Sequence, residues 1–260
     1  MSSVIRSVQV MDLLARRGPL GVRAVAQQLK LPLGSLHRVL LDLAEAGVVD
    51  RTPSGEWELS FRLLEITGLQ LERIDLPRLC RPFAERIAEA TGETVNVNVL
   101  SGHFGVCVDK VRGNEGMQLD LSIGSRGPLS CGGAGKAMLA FMAEDKREEV
   151  YAMPLPVFTN HTIADPHRLR EEIDRIRERF YSIDEQEVVI GVYCVSVPIL
   201  DRFGHSAGAI SVTGPSVKEP GAGIIPVVEQ LWEACEHVSR RLGFAGAWPA
   251  AAPACHGPTV

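Results

Sequence analysis

The chain has 260 residues and a mass of 28.2 kDa, with 45% hydrophobic and 23% charged residues. That composition excludes a largely disordered chain, and at about 150 residues per domain the length predicts two domains. The net charge of −5 argues at first against nucleic acid, yet residues 1–40 hold Arg6, Arg16, Arg17, Arg23, Lys30 and Arg38 against Asp12 alone, a local net of +5 on a body of −10; such asymmetry predicts an anion-binding module attached to an acidic domain.

Val4, Val8, Met11 and Ala15, joined by Ile5 and Leu14, recur at helical spacing and predict a first amphipathic helix that stops at Gly18-Pro19. Val22, Val25, Ala26 and Leu29 form the stripe of a short second helix. Leu31-Pro32-Leu33-Gly34 interrupts the chain, and Leu36, Val39, Leu40 and Leu43 mark a third helix that ends at Gly47. Two extended pieces, 48–52 and 56–59, flank Pro53-Ser54-Gly55, a hairpin turn. Three short helices and a hairpin predict a winged helix-turn-helix whose third helix enters the major groove.

A helical wheel with Leu36 at 0° puts Arg38 at about 200°, opposite the apolar stripe. Arg38 is either a DNA contact or a solvated charge, and its place in the motif favours contact. Ser35 reads equally as a phosphate donor or a helix cap, and His37 as a packing or a base-contacting residue. Arg51 on the wing reads as a phosphate partner, with Arg6 and Arg23 adding to the basic field.

Residues 61–73 read as a connecting helix, and Leu76, Leu79, Phe83 and Ile87 as the stripe of another, from Pro77 to about Ala90. The period then changes to two. Val95, Val97 and Val99, then Val106 and Val108, then Met117, Leu119, Leu121 and Ile123 predict three antiparallel strands joined by tight turns. Helices are expected at 134–143, 144–151 and 166–180, extended segments at 187–199 and 206–214, and a last helix at 225–242. The Ala/Pro-rich residues 245–260 read as a disordered tail.

The run Arg6-Ser7-Val8, Gly18-Pro19-Leu20, Val25-Ala26, Leu31-Pro32 and Ser35-Leu36-His37-Arg38-Val39-Leu40 resembles the N-terminal domain of the isocitrate lyase regulator (IclR) family of bacterial transcription factors. Further markers follow in order: Thr91-Gly92-Glu93-Thr94-Val95, Gly124-Ser125-Arg126-Gly127-Pro128-Leu129, Gly133-Ala134-Gly135-Lys136-Ala137, Asp184-Glu185-Gln186-Glu187, Gly191-Val192-Tyr193-Cys194-Val195-Ser196, and Ala209-Ile210-Ser211-Val212-Thr213-Gly214. The resemblance covers residues 4–243. It implies an α+β chain with a winged helix-turn-helix over 1–60, a linker helix over 61–75 and a GAF-like sensor domain with a central antiparallel sheet over 76–244. It also implies double-stranded operator DNA as partner, a homodimer or dimer of dimers, and a small organic acid effector, with oxo acids such as glyoxylate or pyruvate among those the family senses. Carried over residue by residue, the effector site would comprise Leu119, Gly133, Ala134, Asp184, Val192, Cys194, Ser211 and Thr213.

Other chemistries fit less well. Gly132-Gly133-Ala134-Gly135-Lys136-Ala137 suggests a phosphate loop, but Ser130 replaces its first glycine and Ala137 its hydroxyl residue. A glycine-rich helix start still suits a carboxylate, or is simply a close-packed turn. Cys194 has no base adjacent in sequence and reads as a buried thiol rather than a nucleophile. The six cysteines are scattered without CxxC spacing, so neither a zinc site nor a disulfide framework is expected. The longest mainly apolar run, Val188–Leu200, is too short to span a bilayer. No cofactor, metal or membrane partner is expected, and the protein reads as cytoplasmic and not an enzyme. The alternative is a sensor or enzyme whose N-terminal module makes only protein contacts.

Overall fold

The computed structural model describes residues 2–63, 65–66, 75–114, 122–215 and 224–249. The chain divides into two compact units, Met1–Ile74 and Asp75–Val260.

The first unit contains α1 (Ser3–Arg17), α2 (Val22–Leu29), α3 (Leu33–Glu45) and a hairpin of β1 (Val49–Arg51) and β2 (Trp57–Leu59). Its core is Val10, Leu14, Val25, Leu36, Val39, Leu40, Val49 and Trp57. The α3 stripe is therefore as expected, but the phase of α1 is not. Val4, Ile5 and Val8 are exposed and Ala15 lies outside, whereas Val10 and Leu14 are buried. The apolar residues of the first two turns project beyond the core, so their spacing does not report burial. α3 ends with the N–H of Val48 donating to the carbonyl of Leu43 and that of Gly47 to Ala44, with Gly47 at φ 72°. This Schellman closure requires the left-handed conformation that glycine adopts without a Cβ clash. The N-cap of α3 is Pro32, so Ser35 sits inside the helix and is not its cap. An antiparallel bridge between Leu20 and Trp57 joins the α1–α2 connection to the hairpin.

The expected linker helix falls mostly on residues outside those described; Arg62, Leu63, Glu65 and Ile66 are helical. The second unit begins with α4 (Leu76–Thr91), capped by the Asp75 carboxylate on the N–H of Arg78. There follow β3 (Thr94–Ser101), β4 (Phe104–Val111), β5 (Arg126–Pro128), α5 (Gly133–Ala140), α6 (Glu144–Ala152), α7 (Pro166–Arg179), β6 (Ser182–Glu185), β7 (Tyr193–Leu200), β8 (Ser206–Gly214) and α8 (Ile225–Arg241). The six strands form one antiparallel sheet in the order β5-β4-β3-β8-β7-β6. With the first unit this makes an α+β chain.

Strand alternation divides the second unit into two cores. Val95, Val97, Val195, Val197, Ile210 and Val212 point to one face and pack on α4 and α8. On the other side α5 packs with α7 through Met138, Leu139, Leu169, Ile173 and Ile176.

Two expectations shift, and a third, the strand expected over 117–123, falls mostly on residues outside those described. The extended segment expected at 187–199 starts only at Tyr193: residues 187–192 form a turn, entered through Gln186 at φ 63° and tied by the N–H of Gly191 on the Gln186 side-chain carbonyl at 2.8 Å. The tail expected to be disordered from 245 is ordered at its start, where Trp248 packs against Phe180 and Phe244 with ring centroids 5.5 and 6.1 Å apart; residues 250–260 lie outside the described set.

Candidate functional site

The face of the sheet opposite α4 and α8 carries the polar half of each alternation. Asn96 and Asn98 on β3, Cys194 on β7, and Ser211 and Thr213 on β8 point toward α5 rather than toward water. Between this polar floor and α5 lies a cavity of about 230 Å³. Its opposite wall is apolar, formed by Pro128, Met138, Phe158, Val188, Val189 and Val192. A register shift on β3–β4 after Val97 contributes to the shape. It lets Asp109 reach Arg81 of α4 at 2.6 Å while Cys107, two residues earlier, lines the cavity.

Seven of the eight expected effector residues line this one cavity: Gly133, Ala134, Asp184, Val192, Cys194, Ser211 and Thr213. Leu119 lies outside the described residues. Asp184 is on β6, paired with Cys194 on β7, so the two side chains are neighbours across the sheet. Sequence reasoning missed Asn96, Asn98, Cys107, Arg126, Cys131 and Phe158. For Asn96 and Asn98 the only sequence signal is the alternation itself: in Thr94-Val95-Asn96-Val97-Asn98 the polar positions face a cavity where half-buried strands usually face solvent.

The glycines at the start of α5 are demanded by packing as well as by the cavity. A Cβ on Gly133 would lie 2.7 Å from Ser196 Oγ and 2.9 Å from Cys194 Sγ, and one on Gly135 would lie 2.5 Å from the Pro128 carbonyl. Close packing and a cavity-facing helix start are thus the same feature. The first N–H groups of α5 have no carbonyl four residues back to receive them, and Gly133, Ala134 and Gly135 all border the cavity.

Lys136 is not part of the cavity lining. Its ammonium donates to the Glu187 carboxylate and to the carbonyl of Ile183 at 2.7 Å, and both charged side chains are buried. The second Glu187 oxygen accepts from the N–H of Gly132 at 3.2 Å. Lys136 is engaged by Glu187, and the Asp184 Oδ1 accepts from the N–H of Glu187 at 2.7 Å. Burial, and then the nearby Glu187 charge, push the Asp184 carboxyl up to about 6. Burial likewise pushes the Cys131 thiol up to about 12 and raises that of Cys194, so both are poor nucleophiles. No group of three or more His, Cys, Asp or Glu residues among those described could hold a metal ion, and no described helix is long and apolar enough to cross a membrane.

In the first unit, His37 and Arg38 are exposed on α3, and Ser35 is half-buried. Packing is therefore excluded for His37. Arg23 is exposed on α2. Arg51 is exposed on β1, with its guanidinium 4.6 Å from the centre of the Trp57 ring. Arg6 on α1 is half-buried, and its Nε is sealed from solvent without a hydrogen-bond partner.

Residues 3–53 match the IclR helix-turn-helix domain, and residues 69–240 match the C-terminal domain of the bacterial transcriptional regulator IclR. The chain belongs to the IclR family. It is similar to the HTH-type transcriptional regulator BhcR of Paracoccus denitrificans, 30% identical over 90% of this chain and 85% of that protein. It is similar also to the transcriptional repressor IclR of Escherichia coli, 28% identical over 89% of each chain. The solved structure of IclR from Thermotoga maritima matches with a TM-score of 0.64 at 28% identity, over 93% of this chain and 99% of the other. As an IclR-type protein the chain is a DNA-binding transcriptional regulator. These relatives are named as regulators and repressors, not enzymes, which sets aside the alternative of an enzyme carrying a protein-contact module.

Proposed function

We propose that this IclR-type regulator is controlled by a small organic acid bound in the C-terminal cavity, the oxo acids glyoxylate and pyruvate being the smallest candidates. The observation that carries this reading is the convergence of seven residues from a helix start and three strands or their flanks on one cavity. Helix N–H groups favour a carboxylate, hydroxyls and amides orient it, and Val192 with its neighbours receives the apolar part. We further propose that α3 enters the major groove with Arg38 and His37 leading, and that Ser35, Arg51, Arg23 and Arg6 serve the phosphate backbone. A homodimer, alone or paired with another, fits this reading, because one winged helix buries little area and two-fold sites need two-fold symmetry.

Fluorescence anisotropy against the DNA upstream of its own gene tests the DNA reading. Binding should saturate and weaken steeply between 50 and 200 mM salt. Arg38→Ala should cost about 1–3 kcal/mol if it reads a base edge. An unchanged affinity would remove Arg38 from the interface.

A further inference from the structure

The start of α5 already faces a carboxylate of the protein's own. Asp184 is 5% exposed and lines the cavity. Its Oδ1 accepts from the N–H of Glu187 at 2.7 Å, and its Oδ2 lies 3.7 Å from the place a Cβ on Gly132 would take. Cys194, paired with Asp184 across β6 and β7, has its Sγ 2.9 Å from the corresponding place on Gly133. The two side chains thus flank the first turn of α5, where the helix N–H groups favour a bound carboxylate.

Among the described residues, the cations near Asp184 are engaged elsewhere or distant. Lys136 on α5 is held by the Glu187 carboxylate and by the carbonyl of Ile183. Glu187 itself adds a negative charge, with its other oxygen on the N–H of Gly132. Against β6, β7 places Cys194 and Tyr193, and Cys131 precedes α5; burial raises both thiols, so they carry no charge. His161, in the segment whose threonines hold the carbonyls of Gln186 and Glu187, is exposed. Arg126 does line the cavity, but it sits on β5, at the opposite edge of the sheet from β6. It is exposed, and its guanidinium lies 4.5 Å from the centre of the Phe104 ring. A second carboxylate arriving at this helix start therefore meets the first in a site shielded from water. Two carboxyl groups in such contact share one proton, because both cannot ionise. Burial, and then the Glu187 charge, already push the Asp184 carboxyl up to about 6.

We infer that an acid enters this cavity together with one proton drawn from solvent, which is held between the acid's carboxylate and Asp184 Oδ2. This rests on the acid-sensing reading above and adds the partner of the carboxylate. Asp184 is then a donor to the bound acid and not a charge that repels it. The proton is in place below about pH 6 and must be taken up above it, so affinity falls as pH rises.

The test is isothermal titration of the full chain with glyoxylate, pyruvate and benzoate, all of them ionised from about pH 6 upward. Each acid that binds should lose affinity about tenfold per pH unit above roughly pH 7 and level off below about pH 6. Near pH 7.5, heats measured in phosphate and in Tris should differ by the uptake of about one proton per acid bound. Asp184→Asn offers an amide N–H in place of the carboxylic O–H. At about pH 8.5 it should bind the same acid at least tenfold more tightly than the unaltered protein does, with no pH dependence and no proton uptake. A merely structural Asp184 would instead make the variant bind more weakly. If affinity is the same near pH 6.5 and 8.5 and the heats do not depend on the buffer, the shared proton is overturned while the acid-sensing reading stands. Proton uptake that persists in Asp184→Asn overturns the assignment to Asp184. If none of the three acids binds even near pH 6, both readings fall. The two-buffer comparison on the unaltered protein decides even if Asp184→Asn fails to fold.

Discussion

Asp184 is surrounded by influences that oppose its charge. It is buried, it lies near the Glu187 charge, and the nearby Lys136 ammonium is bound to Glu187 instead. The thiols of Cys131 and Cys194 lie near it and add no positive charge. Its carboxyl titrates at about 6 in the folded protein against 3.8 ordinarily. Between those values the folded state holds more protons than the unfolded one, so stability falls as pH rises from about 4 to about 6 and stays lowered above that. The full difference is on the order of 3 kcal/mol. Asp184→Asn keeps an oxygen for the N–H of Glu187 while removing the charge. The variant should match the unaltered protein near pH 4 and exceed it by about 2–3 kcal/mol at pH 8 in urea denaturation. Parallel stability curves for the two proteins would mean that the surroundings of Asp184 do not raise its carboxyl.

At the scale of elements, the segment between β6 and β7 is fastened to α5 by the Lys136–Glu187 pair and to residues 158–162 by hydroxyls. Thr162 donates to the Glu187 carbonyl at 2.6 Å and Thr159 to that of Gln186 at 2.7 Å. Breaking a buried pair strands a charge, whereas replacing both partners with apolar groups often costs little. Lys136→Met alone should therefore destabilise by about 3–5 kcal/mol, and adding Glu187→Leu should restore most of the loss. Additive losses in thermal or urea denaturation would contradict this account.

The same pair shows where sequence reading stops. Lys136 and Glu187 are 51 residues apart, and no periodicity links them. β5 and β6 span only three and four residues. Arg126-Gly127-Pro128 carries no alternation, and it is its pairing with β4 that makes it a strand. By contrast, α2, α3 and the wing are legible because Gly/Pro punctuation bounds an apolar stripe with a single buried face. α1 is the exception there, because its apolar positions outnumber those that the small core covers. In the second unit alternation locates β3, β7 and β8, yet it cannot tell a polar face turned to water from one turned to a cavity. Asn96 and Asn98 are the residues on which that distinction depends.

Over the whole molecule, the net charge of −5 combines a +5 stretch in the DNA-binding unit with −10 elsewhere. The phosphate attraction is thereby confined to one end of the chain, and the cavity lies in the acidic unit. For an acid in that cavity to alter DNA binding, it must bind the DNA-bound and free states with different affinity; equal affinity shifts nothing, however tight the binding. The coupling is reciprocal. Whatever factor the acid applies to DNA affinity, DNA must apply to the affinity for the acid, and such factors commonly lie between about 5 and 150. The acid that titrates best should therefore be measured twice by calorimetry, on the free protein and on protein saturated with the upstream DNA, at one salt concentration. The ratio of its two dissociation constants should depart from one by at least about fivefold. It should also equal the ratio of DNA dissociation constants measured without and with the acid. A ratio of one would leave the cavity as a binding site with no control over transcription, since no arrangement of the two units can transmit a free-energy difference that the ligand does not supply.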